Sequence, residues 1–301
     1  MGLSSYLAEL IVREHRFRPL PPVVYTVGRL VVGLDVKLAV ALFDKCGVER
    51  ADVKIEIDHE TLESRVFAEK HGLELINDRT FFGMLGVKEV RVIDISAYEG
   101  ASIIWDLCTP IPTELAGTVD FIVGGSTLDN VFDPAQYMRN IARLLKLGGR
   151  LFETNIYVDR MRPYVILPPP WYFDFFVVNR FDDCKIYVVE HTGGQFHAFK
   201  TLVTCNPAQK AGWGLIDNFE ASGDTTLNVV AFAEKGANST WNVSPVQDAW
   251  RSAELVKSYN DSLQRLLQHR RPYSELTFDD SKPPSLAHHS PPRNYHYVGR
   301  F

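Results

Sequence analysis

Val90-Arg91-Val92-Ile93-Asp94 is a short apolar run that closes on an acid. A carboxylate at the tip of a buried parallel strand can accept both hydroxyls of a ribose, so Asp94 is the first residue whose type and place could do binding chemistry. An acid at a strand end also caps helices and turns, and Asp94 alone leaves both readings open. Three more polar sites follow apolar runs in the same way: Asp106 with Leu107, Gly124-Gly125-Ser126, and Asp129-Asn130. His191 and His197 flank Gly193-Gly194 and are read either as reaching the same edge or as solvated turn residues. Cys46, Cys108, Cys184 and Cys205 form no C-x-x-C and have no histidine pair at ligand spacing, so no metal or redox motif is proposed.

The elements that must position these residues alternate. Val23 to Val27 is an apolar run closed by Gly28, and Val36 to Cys46 has helical spacing ended by Gly47. A charged stretch from Glu49 to Glu74 reads as mixed helix and loop, and Asp78 to Leu85 as a short helix before the Val90 strand. Ala101 to Trp105 and Val119 to Val123 are further strands. Asp133-Pro134 opens a helix that runs from Ala135 to Leu147 and is expected to stop at Gly148-Gly149, and Arg150 to Thr154 starts a fifth strand. Apolar strands separated by helices, without two-residue hairpins, indicate a parallel sheet covered on both faces, with ligands at the carboxyl ends of the strands.

From Tyr157 to Tyr187 the rhythm breaks. Nine aromatics in 31 residues, with Pro168-Pro169-Pro170 among them, read either as a pocket-lining lid or as rings packed on the sheet. Lys185 to Glu190, Ala198 to Val203 and Thr226 to Ala233 then give an antiparallel finish. Val246 to Arg271 carries a helical stripe that could pack on the body or on a second copy, and the Pro-rich tail beyond Pro272 is expected to be mobile or draped on a surface. The domain reading is a 1–21 arm, a 22–235 α/β domain with the 157–187 segment inside it, and a 236–301 helix and tail.

The chain's 32 Lys and Arg against 37 Asp and Glu leave a formal charge of −5, without the clustered positive charge that nucleic acid requires. A small-molecule or protein partner is expected instead. No apolar run is long enough to span a bilayer, and the start carries acid inside its apolar stretch with no basic leader, so a cytoplasmic location is expected.

The succession Asp94-Ile95-Ser96, Trp105-Asp106-Leu107, Val119 to Ser126, Leu128 to Pro134 and Leu144 to Leu151 resembles the class I S-adenosylmethionine-dependent methyltransferases, most closely from Val90 to Asn155. The resemblance implies a Rossmann-like, mostly parallel seven-stranded sheet with helices on both faces, here with a C-terminal helix and tail. It implies S-adenosylmethionine as cofactor and S-adenosylhomocysteine as product. Asp94, with Ile95 and Ser96, would hold the ribose; Asp106 and Leu107 would meet the adenine. Gly28 and Gly124 to Ser126 would face the methionine end. Leu128 to Pro134 is similar to the family's L-E-H-V-x-D-P run and Leu144 to Leu151 to its L-K-P-G-G-x-L, with Leu147 in the proline's place.

Three departures stand beside this likeness. The loop after the first strand, Val27-Gly28-Arg29-Leu30-Val31-Val32-Gly33, has two glycines and no acid, and Arg29 has the wrong charge for the methionine ammonium group. Gly28 and Asp94 are 66 positions apart, where the fingerprint expects about 20, which an insertion from about Gly47 to Asn77 would explain. Asp129-Asn130 replaces a Glu-His pair. Methyl transfer needs mainly in-line placement, with a base only where the acceptor must lose a proton, so the missing histidine does not remove the activity. Asp129, Asn155 and Tyr172 are the candidates for contacts to the acceptor, a small polar molecule such as a sugar or natural product methylated on O or N. Homo-oligomerisation through the 246–271 helix is a further expectation. The alternative from a different class is an inactive protein that keeps the fold and holds a partner.

Overall fold

The structure, a computed structural model, describes residues 2–158, 163–192, 200–205, 225–247, 250–268 and 295–300. Two compact units divide the chain, residues 1–153 and 154–301.

In the first unit, β1 (Gly2–Leu3) leads into α1 (Ser5–Phe17), whose Leu7, Leu10, Ile11 and Val12 are buried. The apolar run at Val23 forms β2 (Val23–Val27), followed by β3 (Val31–Val32), which pairs in parallel with β1. Helix α2 (Val36–Cys46) starts where Asp35 accepts the Leu38 N–H and ends at Gly47, whose φ of 62° suits a residue without a Cβ. The charged stretch contains α3 (Leu62–His71), capped by Thr61, and α4 (Asp78–Met84), capped by Asn77.

Strand β4 (Glu89–Asp94) ends on the acid as expected, and β5 (Ile103–Ile104) is only two residues long. After β6 (Val119–Gly125), Asp133 accepts the Gln136 N–H and opens α5 (Pro134–Leu144). The helix stops three residues short of its expected end, because Leu145 turns extended and begins β7 (Leu145–Val158), a strand far longer than the Arg150–Thr154 expectation. Gly148 and Gly149 therefore lie inside a strand and do not end the helix. A Cβ on Gly149 would meet the Val119 carbonyl at 2.8 Å and that of Lys146 at 2.9 Å, so glycine here permits close approach of backbones.

The strand order in this unit is β7-β6-β2-β4-β5, with β2 parallel to both β4 and β6, and β4 parallel to β5. Parallel pairing puts the carboxyl ends of β2, β4, β5 and β6 on one edge. This is the Rossmann-like α/β architecture expected from the alternation. Arg150 ties α1 to it: its guanidinium donates to Glu14 Oε1 at 2.8 Å and to the Arg18 and Pro19 carbonyls, over the ring of Phe121.

In the second unit, Pro169 and Pro170 fill the first turn of α6 (Pro169–Val178), where their missing N–H groups have no intrahelical partner to lose. The helix is apolar nearly all round and accordingly buried, packing on β8 (Asp183–Thr192). β9 (Lys200–Cys205) and β10 (Thr225–Glu234) both pair antiparallel with β8. The 246–271 stripe yields a shorter helix, α7 (Ala253–Gln268): Val246 instead donates its N–H to the Tyr259 hydroxyl, and Arg251 stacks on the same ring while pairing with Asp174 at 2.6 Å. The end of the tail is not merely draped, since β11 (Tyr295–Arg300) pairs antiparallel with β9. Residues 269–294 lie outside the described residues.

Candidate functional site

The carboxyl edge of the first unit collects most of the residues singled out from the sequence. Gly28 follows β2 with φ 73°, and its N–H donates to the Ile93 carbonyl at 2.8 Å, tying the ends of β2 and β4 together. Asp94 ends β4 half-buried; its Oδ1 accepts the Ser96 N–H at 3.1 Å, and its carbonyl accepts the Trp105 N–H at 2.8 Å. No cation is paired with the Asp94 carboxylate among the described residues. Ile95 and Tyr98 beside it are exposed apolar side chains.

The turn from Asp106 to Ile111 is set by a residue that the sequence reading did not pick. Asp106 Oδ1 accepts the Cys108 N–H at 2.8 Å, and buried Asn140 on α5 donates to the carbonyls of Leu107 (2.8 Å) and Thr109 (2.7 Å) while accepting the Ile111 N–H. Asn140 falls among the apolar positions of the α5 stripe, Tyr137, Met138 and Ile141, and a polar residue there is the signal that could have marked it.

Gly124 and Gly125 close β6. A Cβ on Gly124 would collide with the Glu153 carboxylate, and one on Gly125 with the Leu30 side chain. Glu153 is itself buried and accepts from the Tyr137 hydroxyl at 2.9 Å. Ser126 takes φ 65°, a strained value for a side chain with a Cβ, and that turn lets its hydroxyl donate to Asp129 Oδ2 at 2.9 Å. Asn130 donates to the other Asp129 oxygen at 2.9 Å, so the buried Asp129 carboxylate is held on both sides. Thr127 donates to the Val27 carbonyl at 2.8 Å and joins this turn to the end of β2.

Asn155 and Tyr172 belong to the second unit, where both are buried and the Asn155 amide donates to the Tyr172 hydroxyl at 3.0 Å. The side chain of His191 and the whole of His197 lie outside the described residues.

The largest surprise is Arg29. Its side chain is 1% exposed, and its guanidinium lies 3.2 Å from Asp78 Oδ1, which is fully buried, and 2.9 Å from Glu60 Oε2, which is half-exposed. Burial drives the Asp78 carboxyl up to about 6, with the positive fields of Arg29 and Arg79 only partly offsetting it. Asp58 goes the other way: hydrogen bonds from Thr61, Ser64 and two backbone N–H groups hold it below the usual carboxylate range against the desolvation it suffers. The wrong charge in the first loop is thus matched by two acids, Glu60 before α3 and Asp78 at the start of α4. A lone arginine within the apolar run Val27 to Val32 was the available signal, because a buried cation requires an acid.

No protein-family model matches the chain, and no curated protein does. Among solved structures the chain is similar to a phospholethanolamine N-methyltransferase 2 from Haemonchus contortus, in complex with phosphomonomethylethanolamine and S-adenosylhomocysteine, at 11% identity over 76% of this chain and 52% of that one, with a TM-score of 0.37. It is similar to the 1,6-didemethyltoxoflavin-N1-methyltransferase of Burkholderia thailandensis at 12% identity, covering 77% and 78% of the two chains, TM-score 0.35. A third likeness is to the CMeT domain of the citrinin polyketide synthase, at 11% identity over 75% of this chain and 51% of that one, TM-score 0.33. The chain spans about half the length of the first and third of these.

Proposed function

We propose that the chain binds S-adenosylmethionine at the carboxyl edge of its first unit and transfers the methyl group to an O or N of a small polar acceptor. The observation that carries this is Asp94: a half-buried carboxylate at the tip of β4, engaged by one backbone N–H and, among the described residues, by no cation, at the ligand edge of a parallel sheet. Its free acceptor capacity fits two ribose hydroxyls. Asp106 and Leu107, in the turn that Asn140 pins, are assigned to the adenine, and Gly28 with Gly124 to Ser126 to the methionine end.

When bound, the cofactor supplies a methyl group already activated on sulfonium sulfur. The chain's own part is to hold and orient. Asp129, braced by Ser126 and Asn130, is the candidate for an acceptor contact at this edge. The neighbours from Haemonchus contortus and Burkholderia thailandensis are N-methyltransferases by name, which is consistent with this class of reaction.

A second reading rests on one observation. Residues 24–34 are buried throughout, and the Glu153 and Leu30 side chains take the space beside Gly124 and Gly125, which favours a protein that binds a partner without methyl transfer. Isothermal titration of the full chain with S-adenosylhomocysteine separates the two. Binding is expected, weakened at least tenfold by Asp94→Ala; absence of binding to the folded chain, or an affinity unmoved by Asp94→Ala, overturns the assignment.

A further inference from the structure

Five side-chain atoms at the head of the first-strand loop stand out: Nε, Nη1 and Nη2 of Arg29 and both carboxylate oxygens of Asp78 are buried and make no hydrogen bond among the described residues. The ion-pair distances to Asp78 and Glu60 bring opposite charges together without the alignment of a hydrogen bond. Unsatisfied charged atoms in a protein interior carry a desolvation cost that a folded chain does not retain without cause. Their place narrows the cause. Arg29 directly follows Gly28, whose N–H is bound to the end of β4, and the segment that brings Glu60 also donates the Leu62 N–H to Glu99 Oε1 at 3.2 Å, in the loop that follows Asp94. Glu60 Oε2 lies 3.7 Å from where a Cβ on Gly100 would be. The cluster therefore adjoins the ribose edge.

Resting on the cofactor reading above, we infer that Arg29 and Asp78 form a zwitterion site for the α-amino-carboxylate end of the ligand, and that Glu60 is an internal stand-in for the ligand's carboxylate. A buried guanidinium beside a buried carboxylate is complementary to a carboxylate and an ammonium carried on one carbon, and each ligand group would meet atoms now lacking a hydrogen bond. Glu60 is half-exposed and also pairs with the half-exposed Arg79 at 3.6 Å, so it can leave Arg29 for solvent and Arg79 at little cost when a ligand carboxylate takes its place. The acid that the first loop lacks is thus supplied from α4, and the arginine that looked mismatched to an ammonium group serves the carboxylate instead.

The test titrates S-adenosylhomocysteine, which has the amino-acid end, and 5′-methylthioadenosine, which lacks it, into the full wild-type chain, Asp78→Asn and Glu60→Gln. Asp78→Asn is expected to weaken S-adenosylhomocysteine at least tenfold and Glu60→Gln to tighten it at least threefold, with methylthioadenosine within twofold of wild type in both. Equal effects on the two ligands, or none on either, overturn the inference while leaving the cofactor reading intact. Should Asp78→Asn fail to fold, the exposed Glu60→Gln variant decides by the same criterion. Failure of wild type to bind either ligand overturns the cofactor reading, and this inference with it.

Discussion

At the scale of single residues, the chemistry divides into what a strand end announces and what only three dimensions assemble. The place of Asp94 at a strand end was legible because the apolar run Val90 to Ile93 closes on it, while Asp106 and Ser126 were given their roles by the family resemblance. Glu60 and Asp78 were not: they lie 31 and 49 positions beyond Arg29, and no periodicity links a buried cation to its acids at such separations. Their pairing has a measurable consequence. Since the Asp78 carboxyl titrates at about 6 when folded and at 3.8 when unhindered, the folded chain holds a proton between those values that the unfolded chain has released. The contribution of Asp78 to stability is therefore complete below about pH 4 and is lost as the pH rises through 6. Urea denaturation at pH 4.5 and 6.5 should show wild type losing up to about 2 kcal/mol relative to Asp78→Asn across that window. A difference between the two proteins that does not change with pH contradicts the shift. Arg29, Arg79 and Asp58 act on this carboxyl, and Glu60 pairs with both arginines, in both proteins, so their own titration largely cancels in the comparison.

At the scale of elements, apolar spacing placed β2, α2, α4, β4 and β6 within a few residues, because each is long or strongly capped enough for local signals to decide, whereas α6 falls in the aromatic segment that was read only as a lid or as packed rings. The failures have tertiary causes. Gly148-Gly149 looked like a helix stop, yet the strand backbone there needs glycine to approach Val119 and Lys146. Val246 belongs to the helical stripe, but its N–H is held by the Tyr259 hydroxyl, and Arg251 is held by Asp174. The α1 helix makes a similar point about charge. Glu14 is fully buried and accepts from Arg150, so Arg150→Met should destabilise the chain by about 3 to 5 kcal/mol, because it breaks a buried ion pair by removing one partner. Thermal or urea unfolding reads this directly, and the double variant Arg150→Met with Glu14→Leu should recover a large part of the loss. A loss below about 1 kcal/mol for the single variant would mean that α1 is held by its apolar face alone.

At the scale of the whole molecule, the alternation of strands and helices dictated a parallel α/β first unit, and the later strands an antiparallel second one. Length and a charge of −5 could not say more than that. Among the described residues no helix is long and apolar enough to cross a membrane. The proposed function rests on one edge of the first unit, where four strand ends bring Gly28, Asp94, Asp106 and Ser126 to the same side and where Glu60 and Asp78 answer the charge of Arg29. The central claim is that this edge holds S-adenosylmethionine by its ribose. A crystal structure of the full chain grown with S-adenosylhomocysteine measures that most directly. The account predicts the ribose hydroxyls within about 3 Å of the Asp94 carboxylate; a ligand bound elsewhere, or an Asp94 carboxylate left in water at saturating ligand, would contradict it.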